Sequence, residues 1–234
     1  MRAAAFLDMD GTLLRGESQF SFLFWCWRRR LAPPVRSLCV LRQYANYLLG
    51  ISRDRLGVRE SGFALLKGLS SERLEKAAAE FCAGRLGRGL RRQAVSLVEA
   101  HRQRGHLTVL VTSACEAVAR PVADKLRVDV LVATRLAAEN GICTGTRVLP
   151  EPYGAGKRLL VEMFCLEHGV SPMQSYACGD HHSDAPLFEA IGHPVAVNPT
   201  RKLRGIAAAR GWGVLDLDAA ELPDLALPET RSQC

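Results

Sequence analysis

The sequence predicts an α/β protein: a Rossmann-like, doubly wound parallel sheet into which a block of α-helices is inserted. Apolar runs of strand length alternate with helical segments in the second half of the chain. Repeated β-then-α units favour a parallel sheet with helices on both faces. Another apolar run near the N-terminus supplies a further strand, and about 90 residues with helical patterning separate it from the rest.

The N-terminal half contains one predicted strand, Ala3–Leu7, followed only by helices. Proline pairs, glycines and capping residues mark the ends of those helices. Ser70 with Glu72 in the following turn is typical of a helix start. The predicted helices are Gln19–Trp27, Val35–Leu49, about Ser52–Lys67, Ser71–Phe81 and Arg91–Arg104.

The second half alternates between strands and helices. The predicted strands are Leu107–Thr112, Val128–Ala133, Ser175–Cys178 and Pro194–Val197. The predicted helices are Glu116–Leu126, Gly156–Gly169, a short helix ending at Ile191, and Arg201–Arg210. Within residues 134–148, the central Asn140-Gly141 pair predicts a β-hairpin, because Asn-Gly adopts the tight turn that joins antiparallel strands.

These elements divide the chain into a core and an insert. Residues 1–14 and 105–218 form the predicted Rossmann-like core. Residues 15–104 form the helical insert, although its last helix, about 89–104, could pack on the core instead. Residues 219–234 are expected to be a loosely held tail.

Charge and composition limit the possible partners. The chain of 234 residues has a formal net charge of +7, and residues 15–104 carry 18 Lys and Arg against 7 Asp and Glu. A basic region of this kind favours an anionic substrate or surface. No nucleic-acid recognition motif is present, so we expect no nucleic acid partner. The aromatic stretch 20–27, followed by three arginines, favours packing within the insert, with peripheral contact to an anionic membrane as the alternative.

The cysteines and the N-terminus indicate the compartment. The eight cysteines are scattered without a CxxC pair, which is typical of a reducing environment. Asp8 and Asp10 interrupt any apolar signal segment, and no apolar run is long enough to span a membrane. We therefore expect a cytoplasmic protein. The sequence does not indicate its oligomeric state.

Two carboxylates follow the first strand. Side chains alternate along a strand, so Asp8 and Asp10 are expected to face the same crevice at its carboxyl end, where open α/β sheets bind ligands. Gly11 lets the chain turn sharply and lets a phosphate approach the backbone. Two carboxylates this close raise each other's pKa unless a cation lies between them. On its own, the stretch fits an ordinary strand and turn equally well.

Other polar residues occur at strand ends or helix starts on the same expected edge of the sheet. They are Thr112 with Ser113, Lys157, and the pair Asp180 and Asp184. Carboxylate and carbonyl oxygens are the ligands that Mg²⁺ prefers. Lysine, hydroxyl and backbone N–H groups suit a phosphoryl group, and a carboxylate can act as a nucleophile. The combination favours phosphoryl-transfer chemistry.

In the order and spacing of these motifs, the chain resembles the haloacid dehalogenase superfamily, in the phosphoserine-phosphatase-like branch with a helical cap (subfamily IB). The matching motifs are Asp8-Met9-Asp10-Gly11-Thr12, Val111-Thr112, Lys157, and Gly179-Asp180 with Asp184. The resemblance covers residues 6 to about 198. It implies a Rossmann-like core, a cap formed by the insert, and a Mg²⁺-dependent phosphatase acting on a small phosphorylated substrate.

The resemblance also implies a role for each matching residue. Asp8 is the implied nucleophile on phosphorus, and Asp10 the general acid and base. Thr112 and Lys157 are the implied contacts to the phosphoryl oxygens, with Ser113 and Gly11 beside them. The implied Mg²⁺ ligands are the Asp8 carboxylate, the Asp10 main-chain carbonyl and Asp180, supported by Asp184.

Two further positions concern the substrate. Glu17 lies where phosphoserine phosphatases carry a substrate-contacting glutamate, although a solvated acid at a helix start is an equal reading. Gly62 lies where they carry the arginine for the substrate carboxylate, with Arg59 about one turn away. This difference argues against phosphoserine itself. Alternative functions are a lipid-phosphate phosphatase at a membrane surface, a phosphotransferase, and a catalytically weak module that binds phosphate ligands or membrane surfaces.

Overall fold

The computed structural model describes residues 2–31, 38, 40, 42–46, 49, 51 and 55–219. Its central element is a six-stranded parallel sheet of order β3-β2-β1-β6-β7-β8. The strands of this sheet are β1 (Ala4–Leu7), β2 (Leu107–Cys115), β3 (Val130–Thr134), β6 (Tyr176–Gly179), β7 (His193–Val197) and β8 (Gly213–Leu215). The predicted α/β class with a parallel sheet is confirmed.

Eight α-helices are described. They are α1 (Ser18–Arg28), α2 (Arg55–Ala64), α3 (Ser71–Gly89), α4 (Ala94–Gln103), α5 (Glu116–Leu126), α6 (Ala155–His168), α7 (Ala185–Phe188) and α8 (Arg201–Arg210). Residues 38, 40 and 42–46 of the predicted helix Val35–Leu49 are also helical, whereas residues 35–37, 39, 41, 47 and 48 lie outside the described residues, as does Ser52. Residues 220–234 of the predicted tail lie outside them too.

Several predicted boundaries differ from the structure by one to three residues, one helix is longer than predicted, and one strand was not predicted. β2 continues to Cys115, three residues beyond the predicted end, with a register shift between Thr112 and Cys115. α3 continues to Gly89 rather than ending at Phe81. β8 was not predicted, because three residues between a glycine-ended helix and a polar loop carry too little apolar pattern to identify a strand.

The sheet is covered on both faces, as its strand pattern requires. Phe6 and Val109 face the layer that contains Phe164 of α6 and Leu203 of α8. Alternate residues of the same strands, such as Leu7, face the opposite layer, where α4 and α5 pack. Burial on both faces explains why the central strands are continuously apolar rather than alternating.

The last predicted helix of the insert packs on the sheet. Ala94, Leu97 and Val98 of α4 lie in the same apolar cluster as Leu7 and Leu110. The alternative in which the helix of residues 89–104 packs on the core therefore agrees with the position of α4. The division of the chain at residues 14 and 105 remains a prediction.

The rest of the insert has its own apolar cluster. Phe22 of α1, Phe63 of α2 and Phe81 of α3 are each at most 6% exposed and form its centre. Phe24 on the opposite side of α1 is 43% exposed. The aromatic stretch of α1 thus supplies mainly internal packing. Among the described helices, none has the length and apolar character needed to cross a membrane.

The β-hairpin lies against the insert. Strands β4 (Leu136–Glu139) and β5 (Ile142–Arg147) are antiparallel, and Asn140 and Gly141 between them have φ of 50° and 76°. These values are the positive φ pair of the predicted tight turn. The Cys143 N–H donates to Leu69 O at 2.8 Å, and the Gly68 N–H donates to Cys143 O at 2.9 Å. The hairpin, although it follows the core strands, is therefore bonded to the insert.

The chain enters and leaves the insert through two adjacent segments. The Arg15 N–H donates to Gly89 O at 2.8 Å, and the Arg91 N–H donates to Leu13 O at 2.9 Å. Leu14 and Leu90 form an antiparallel bridge between these bonds. This connection begins directly after the Asp8–Gly11 loop, so the site and the base of the insert share the same backbone.

Candidate active site

Asp8 directly follows the carboxyl end of β1, the strand that lies between β2 and β6 in the sheet. β1 is paired with β2 on one side and β6 on the other, where the sequence order of the strands reverses. The Asp8 N–H donates to Cys178 O of β6 at 2.9 Å. Open α/β sheets bind ligands at this kind of position. The alternation expected along the first strand therefore brings Asp8 to the crevice.

Lys157 joins Asp8 to a second carboxylate. Its Nζ donates to Asp8 Oδ1 and to Asp184 Oδ1, both at 2.7 Å. All three side chains are at most 11% exposed. Burial opposes the lysine charge, but the two carboxylates outweigh it and raise the pKa of Lys157 above its usual value. Lys157 is therefore a fixed cation at the centre of the site.

Asp180 completes an acidic cluster with Asp8 and Asp184. One carboxylate oxygen of each of these residues lies within 4.8 Å of the others. Thr12 lies between two of them, and its Oγ1 donates to Asp8 Oδ2 at 3.2 Å and approaches Asp180 Oδ1 at 3.4 Å. Of the predicted metal ligands, the structure thus brings these three carboxylates together.

The charges of this cluster are incompletely balanced. Burial, with the Asp184 charge adding to it, raises the pKa of Asp8 to about 6 despite its contact with Lys157. Burial and the charge of Asp8 raise the pKa of Asp180 to about 8. One lysine therefore does not neutralise the three carboxylates of the cluster. A hard divalent cation would supply the missing positive charge, and oxygen donors of this kind fit Mg²⁺.

Two glycines allow the acidic side chains to approach the backbone. A Cβ added to Gly11 would lie 2.3 Å from Asp180 Oδ2, and one added to Gly179 would lie 2.5 Å from Asp184 Oδ2. Gly11 also has a φ of +79°, which L side chains rarely adopt. Gly11 is therefore required both for the turn after Asp10 and for the position of Asp180.

Asp10 is buried beside the cluster but is bonded differently. Ser18 Oγ donates to its Oδ2 at 2.8 Å. Its Oδ1 is buried without a hydrogen-bond partner among the described residues. Burial, with the charge of Glu17 as the next cause, raises the pKa of Asp10 to about 8. At neutral pH this carboxyl group is therefore suited to donate a proton as well as to accept one.

Thr112 and Ser113 lie on β2 at the same end of the sheet. Leu7 is paired with Leu110, so Thr112 is two residues further along the neighbouring strand. Its hydroxyl is buried and accepts the Ala114 N–H at 3.1 Å. The register places Thr112 at the expected edge, although no hydrogen bond to the acidic cluster is described for it.

Glu17 directs negative charge into the site from the start of α1. It is exposed, and its carboxylate contributes to the raised pKa of both Asp10 and Asp180. Gly62, by contrast, is packed against α1, and a Cβ there would lie 2.8 Å from Leu23 Cδ1. A side chain at this position would have to displace the end of Leu23.

Three residues of the site were not identified from the sequence: Thr12, Ser18 and Arg91. Arg91 donates from Nη2 and Nε to Gly11 O at 2.7 and 3.2 Å and also pairs with Asp218. Eighty residues separate Arg91 from Gly11, so no local pattern could indicate this contact. Thr12 belongs to the quoted motif and could have been inferred from it.

Comparison with known proteins identifies the family. The family model of haloacid dehalogenase-like hydrolases matches residues 5–189. This chain therefore belongs to the haloacid dehalogenase-like hydrolase family. The matched region begins within β1 and ends just after α7, and so includes the acidic cluster and Lys157.

Three curated relatives are similar along most of the chain, and two of them are named as phosphatases. The chain is 30% identical over 92% of its length to an inhibition of morphological differentiation protein from Streptomyces azureus, covering 78% of that protein. It is 29% identical to phosphoserine phosphatase SerB1 of Mycobacterium tuberculosis, over 94% of this chain and 72% of that one. It is 26% identical to a histidinol-phosphatase of Neisseria meningitidis, over 92% of this chain and 99% of that protein. The predicted phosphoserine-phosphatase-like enzyme class is confirmed.

Solved structures agree in fold. A Bordetella pertussis protein described as having unknown function matches with a TM-score of 0.83 and 31% identity, over 93% of this chain and 99% of that one. A phosphoserine phosphatase solved as a phospho-aspartyl intermediate analogue matches with a TM-score of 0.65 and 18% identity, over 93% of this chain and 94% of that chain. The second match supports the architecture alone.

Proposed function

We propose that the protein is a Mg²⁺-dependent phosphomonoester hydrolase that acts through an aspartyl-phosphate on Asp8, with a small anionic phosphorylated substrate. The observation that carries the proposal is the environment of Asp8. Its carboxylate lies at a strand end, with one oxygen held by Lys157 and the other by Thr12. A buried carboxylate fixed in this way beside a cation is oriented for attack on an electrophile.

Asp8, Asp180 and Asp184 are the residues that would hold Mg²⁺, together with the Asp10 main-chain carbonyl. When bound, Mg²⁺ would neutralise phosphoryl charge and hold the phosphoryl oxygens next to Asp8. Lys157 contributes a second positive charge at the same carboxylate. Thr112 and Ser113 would donate to the phosphoryl oxygens from the neighbouring strand end.

The reaction follows in two steps from these positions. The Asp8 carboxylate forms a bond to phosphorus while the bond to the leaving oxygen breaks, and Asp10 gives its proton to that oxygen. Asp10, now ionised, then takes a proton from a water molecule that attacks the phosphorus, releasing phosphate and restoring Asp8. The raised pKa of Asp10 suits both roles near neutral pH.

The charges around the site favour a particular substrate class: an amine-bearing phosphomonoester without a carboxylate. Glu17 supplies a carboxylate toward the site that would bind an ammonium group. Gly62 lies where phosphoserine phosphatases carry the arginine that binds the substrate carboxylate; glycine supplies no such group, and a Cβ there would lie 2.8 Å from Leu23 Cδ1. Histidinol phosphate, the substrate in the name of the Neisseria relative, has an amine and no carboxylate.

Hydrolysis of p-nitrophenyl phosphate with and without Mg²⁺ tests the reaction. We expect Mg²⁺-dependent turnover that falls by at least about a thousandfold in Asp8→Asn, which keeps the shape of the side chain but is a poor nucleophile. Asp124→Asn, the same change on the exposed surface of α5, is the matched control. Equal turnover by Asp8→Asn and the native chain would contradict the mechanism.

A substrate comparison tests the substrate class. With histidinol phosphate, phosphoserine and glycerol phosphate, we expect the highest kcat/KM for the amine without a carboxylate. Glu17→Gln should lower kcat/KM for histidinol phosphate about tenfold and leave glycerol phosphate nearly unchanged, because only the first has an ammonium group. A preference for phosphoserine would contradict the substrate class while leaving the reaction intact.

A further inference from the structure

Asp10 is bonded to the insert through the first residue of α1. The hydroxyl of Ser18 donates to Oδ2 of the Asp10 carboxylate at 2.8 Å. Ser18 is only 7% exposed. Glu17, the N-cap residue of α1, makes no side-chain capping bond. The Asp10 carboxylate is therefore bonded to the first residue of α1, through the side chain of Ser18.

This contact distinguishes the two oxygens of the Asp10 carboxyl group. Oδ2 is held by the Ser18 hydroxyl, whereas Oδ1 has no hydrogen-bond partner among the described residues although it is buried. A carboxyl group held through one oxygen cannot rotate freely about its terminal bond. Oδ1 is consequently the oxygen left to exchange a proton with substrate or water.

We propose that Ser18 is a positioning residue that aligns Asp10 for proton transfer and makes this alignment depend on the position of α1. The inference rests on the proposed function, in which Asp10 is the general acid. The Asp8–phosphorus bond forms as the bond to the leaving oxygen breaks, and the Asp10 proton passes to that oxygen, which leaves as an alcohol. The Ser18 hydroxyl then stabilises the carboxylate that remains.

The contact also couples the acid to the insert. Ser18 begins α1, whose Phe22 and Leu23 pack in the apolar cluster of the insert. Asp10 belongs to the loop that follows β1 of the sheet. Movement of α1 away from the sheet would break the bond, so the acid is aligned only while the insert is in the position seen here.

A series of aryl and alkyl phosphates with leaving groups of increasing pKa tests the role of Ser18. An ester with a good leaving group, such as 2,4-dinitrophenyl phosphate, needs little protonation, whereas an alkyl phosphate needs it fully. In Ser18→Ala we expect kcat/KM to fall about tenfold for the alkyl ester and less than about twofold for the dinitrophenyl ester, because a lost hydrogen bond to a charged group has about this effect. Ser18→Thr, which keeps the hydroxyl, should restore the native ratio.

The measured quantity is the ratio of kcat/KM between the two esters, which does not depend on the fraction of folded enzyme. Ser21→Ala is the matched control, since its hydroxyl lies on the same helix and donates to Glu17 O at 2.8 Å rather than to Asp10. Its ratio should equal that of the native chain. An equal loss for both esters in Ser18→Ala would show a merely structural role and overturn the inference.

Asp10→Asn separates this inference from the proposed function. If Asp10→Asn selectively slows the alkyl ester but Ser18→Ala does not, Asp10 is the acid and only the role of Ser18 is overturned. If Asp10→Asn leaves the ratio unchanged, Asp10 is not the acid, and the proposed mechanism fails together with the inference.

Discussion

Replacement of Lys157 by methionine removes the cation that is bonded to both the Asp8 and Asp184 carboxylates and keeps a similar side-chain volume. Lys157 is 4% exposed, and its Nζ makes two bonds of 2.7 Å. Removing one partner of a buried ion pair typically costs about 3–5 kcal/mol, because the remaining charge stays buried without compensation. We expect a loss of this size in the free energy of unfolding of the metal-free protein.

The loss should depend on pH. Lys157 lowers the pKa of Asp8, which burial still holds at about 6, above the usual value of an aspartate. Without Lys157 that pKa rises further. A carboxyl group whose folded pKa lies above its unfolded pKa becomes destabilising as pH rises through the folded value. Lys157→Met should therefore be more destabilising at pH 8 than at pH 5.5, where protons can neutralise the carboxylates.

Urea unfolding followed by circular dichroism, with EDTA present, measures both effects. For a chain of this size, a loss of about 3–5 kcal/mol corresponds to a midpoint shift of roughly 1–2 M urea. Lys202→Met, on the exposed surface of α8, is the matched control and should change stability by less than about 0.5 kcal/mol. A loss below about 1 kcal/mol, or an equal loss at both pH values, would show that Lys157 does not compensate the charges of Asp8 and Asp184.

Three further predictions concern other parts of the molecule. Mg²⁺ at 100 times its dissociation constant should stabilise the protein by about 2.7 kcal/mol in thermal unfolding, and Asp180→Asn should remove most of this gain. Gly11→Ala should weaken Mg²⁺ binding measured by calorimetry at least about tenfold, because the new methyl group displaces the Asp180 carboxylate. Burial lowers the pKa of His101 to about 3, so stability should fall by roughly 3 kcal/mol between pH 6.5 and 3, and His101→Gln should reduce this dependence.

Each of these predictions has a matched control. Asp124→Asn should retain the stabilisation by Mg²⁺; an equal loss there would contradict the assignment of the metal site. Gly105 also has a positive φ, +74°, but a methyl group added there meets open space. Gly105→Ala should therefore lower the free energy of unfolding by about 1–2 kcal/mol without affecting Mg²⁺ binding. His168→Gln, on the exposed end of α6, should leave the acid dependence unchanged. If His168→Gln reduces that dependence as much as His101→Gln, the cause is not the buried ring.

The local chemistry of the chain was largely predictable. Asp8 at the end of an apolar run, Lys157 at the start of a helix, and the Asn140-Gly141 turn all depend on neighbouring residues, and backbone periodicity fixes where such side chains point. The parallel sheet followed from the alternation of strands and helices. β8 was not predicted, because a strand of three residues is too short to show this periodicity.

The contacts that assemble the site depend on residues far apart in the chain. Lys157 is 149 residues from Asp8, and Arg91 is 80 residues from Gly11. The sequence motifs indicated that Asp8, Lys157 and Asp184 belong to one site, but not that a single lysine would bond to both carboxylates. Thr112 and Glu17 lie at the expected edge, and their roles remain predictions.

Residue type and local spacing were enough to predict the class of fold, the residues of the acidic cluster and the chemistry they suit. Three contacts could be seen only in the folded chain: the bond from Ser18 to Asp10, the packing of Gly62 against Leu23, and the bonds from the hairpin to the insert. These contacts join segments whose proximity depends on packing of the whole chain, and packing leaves no periodic pattern in the sequence.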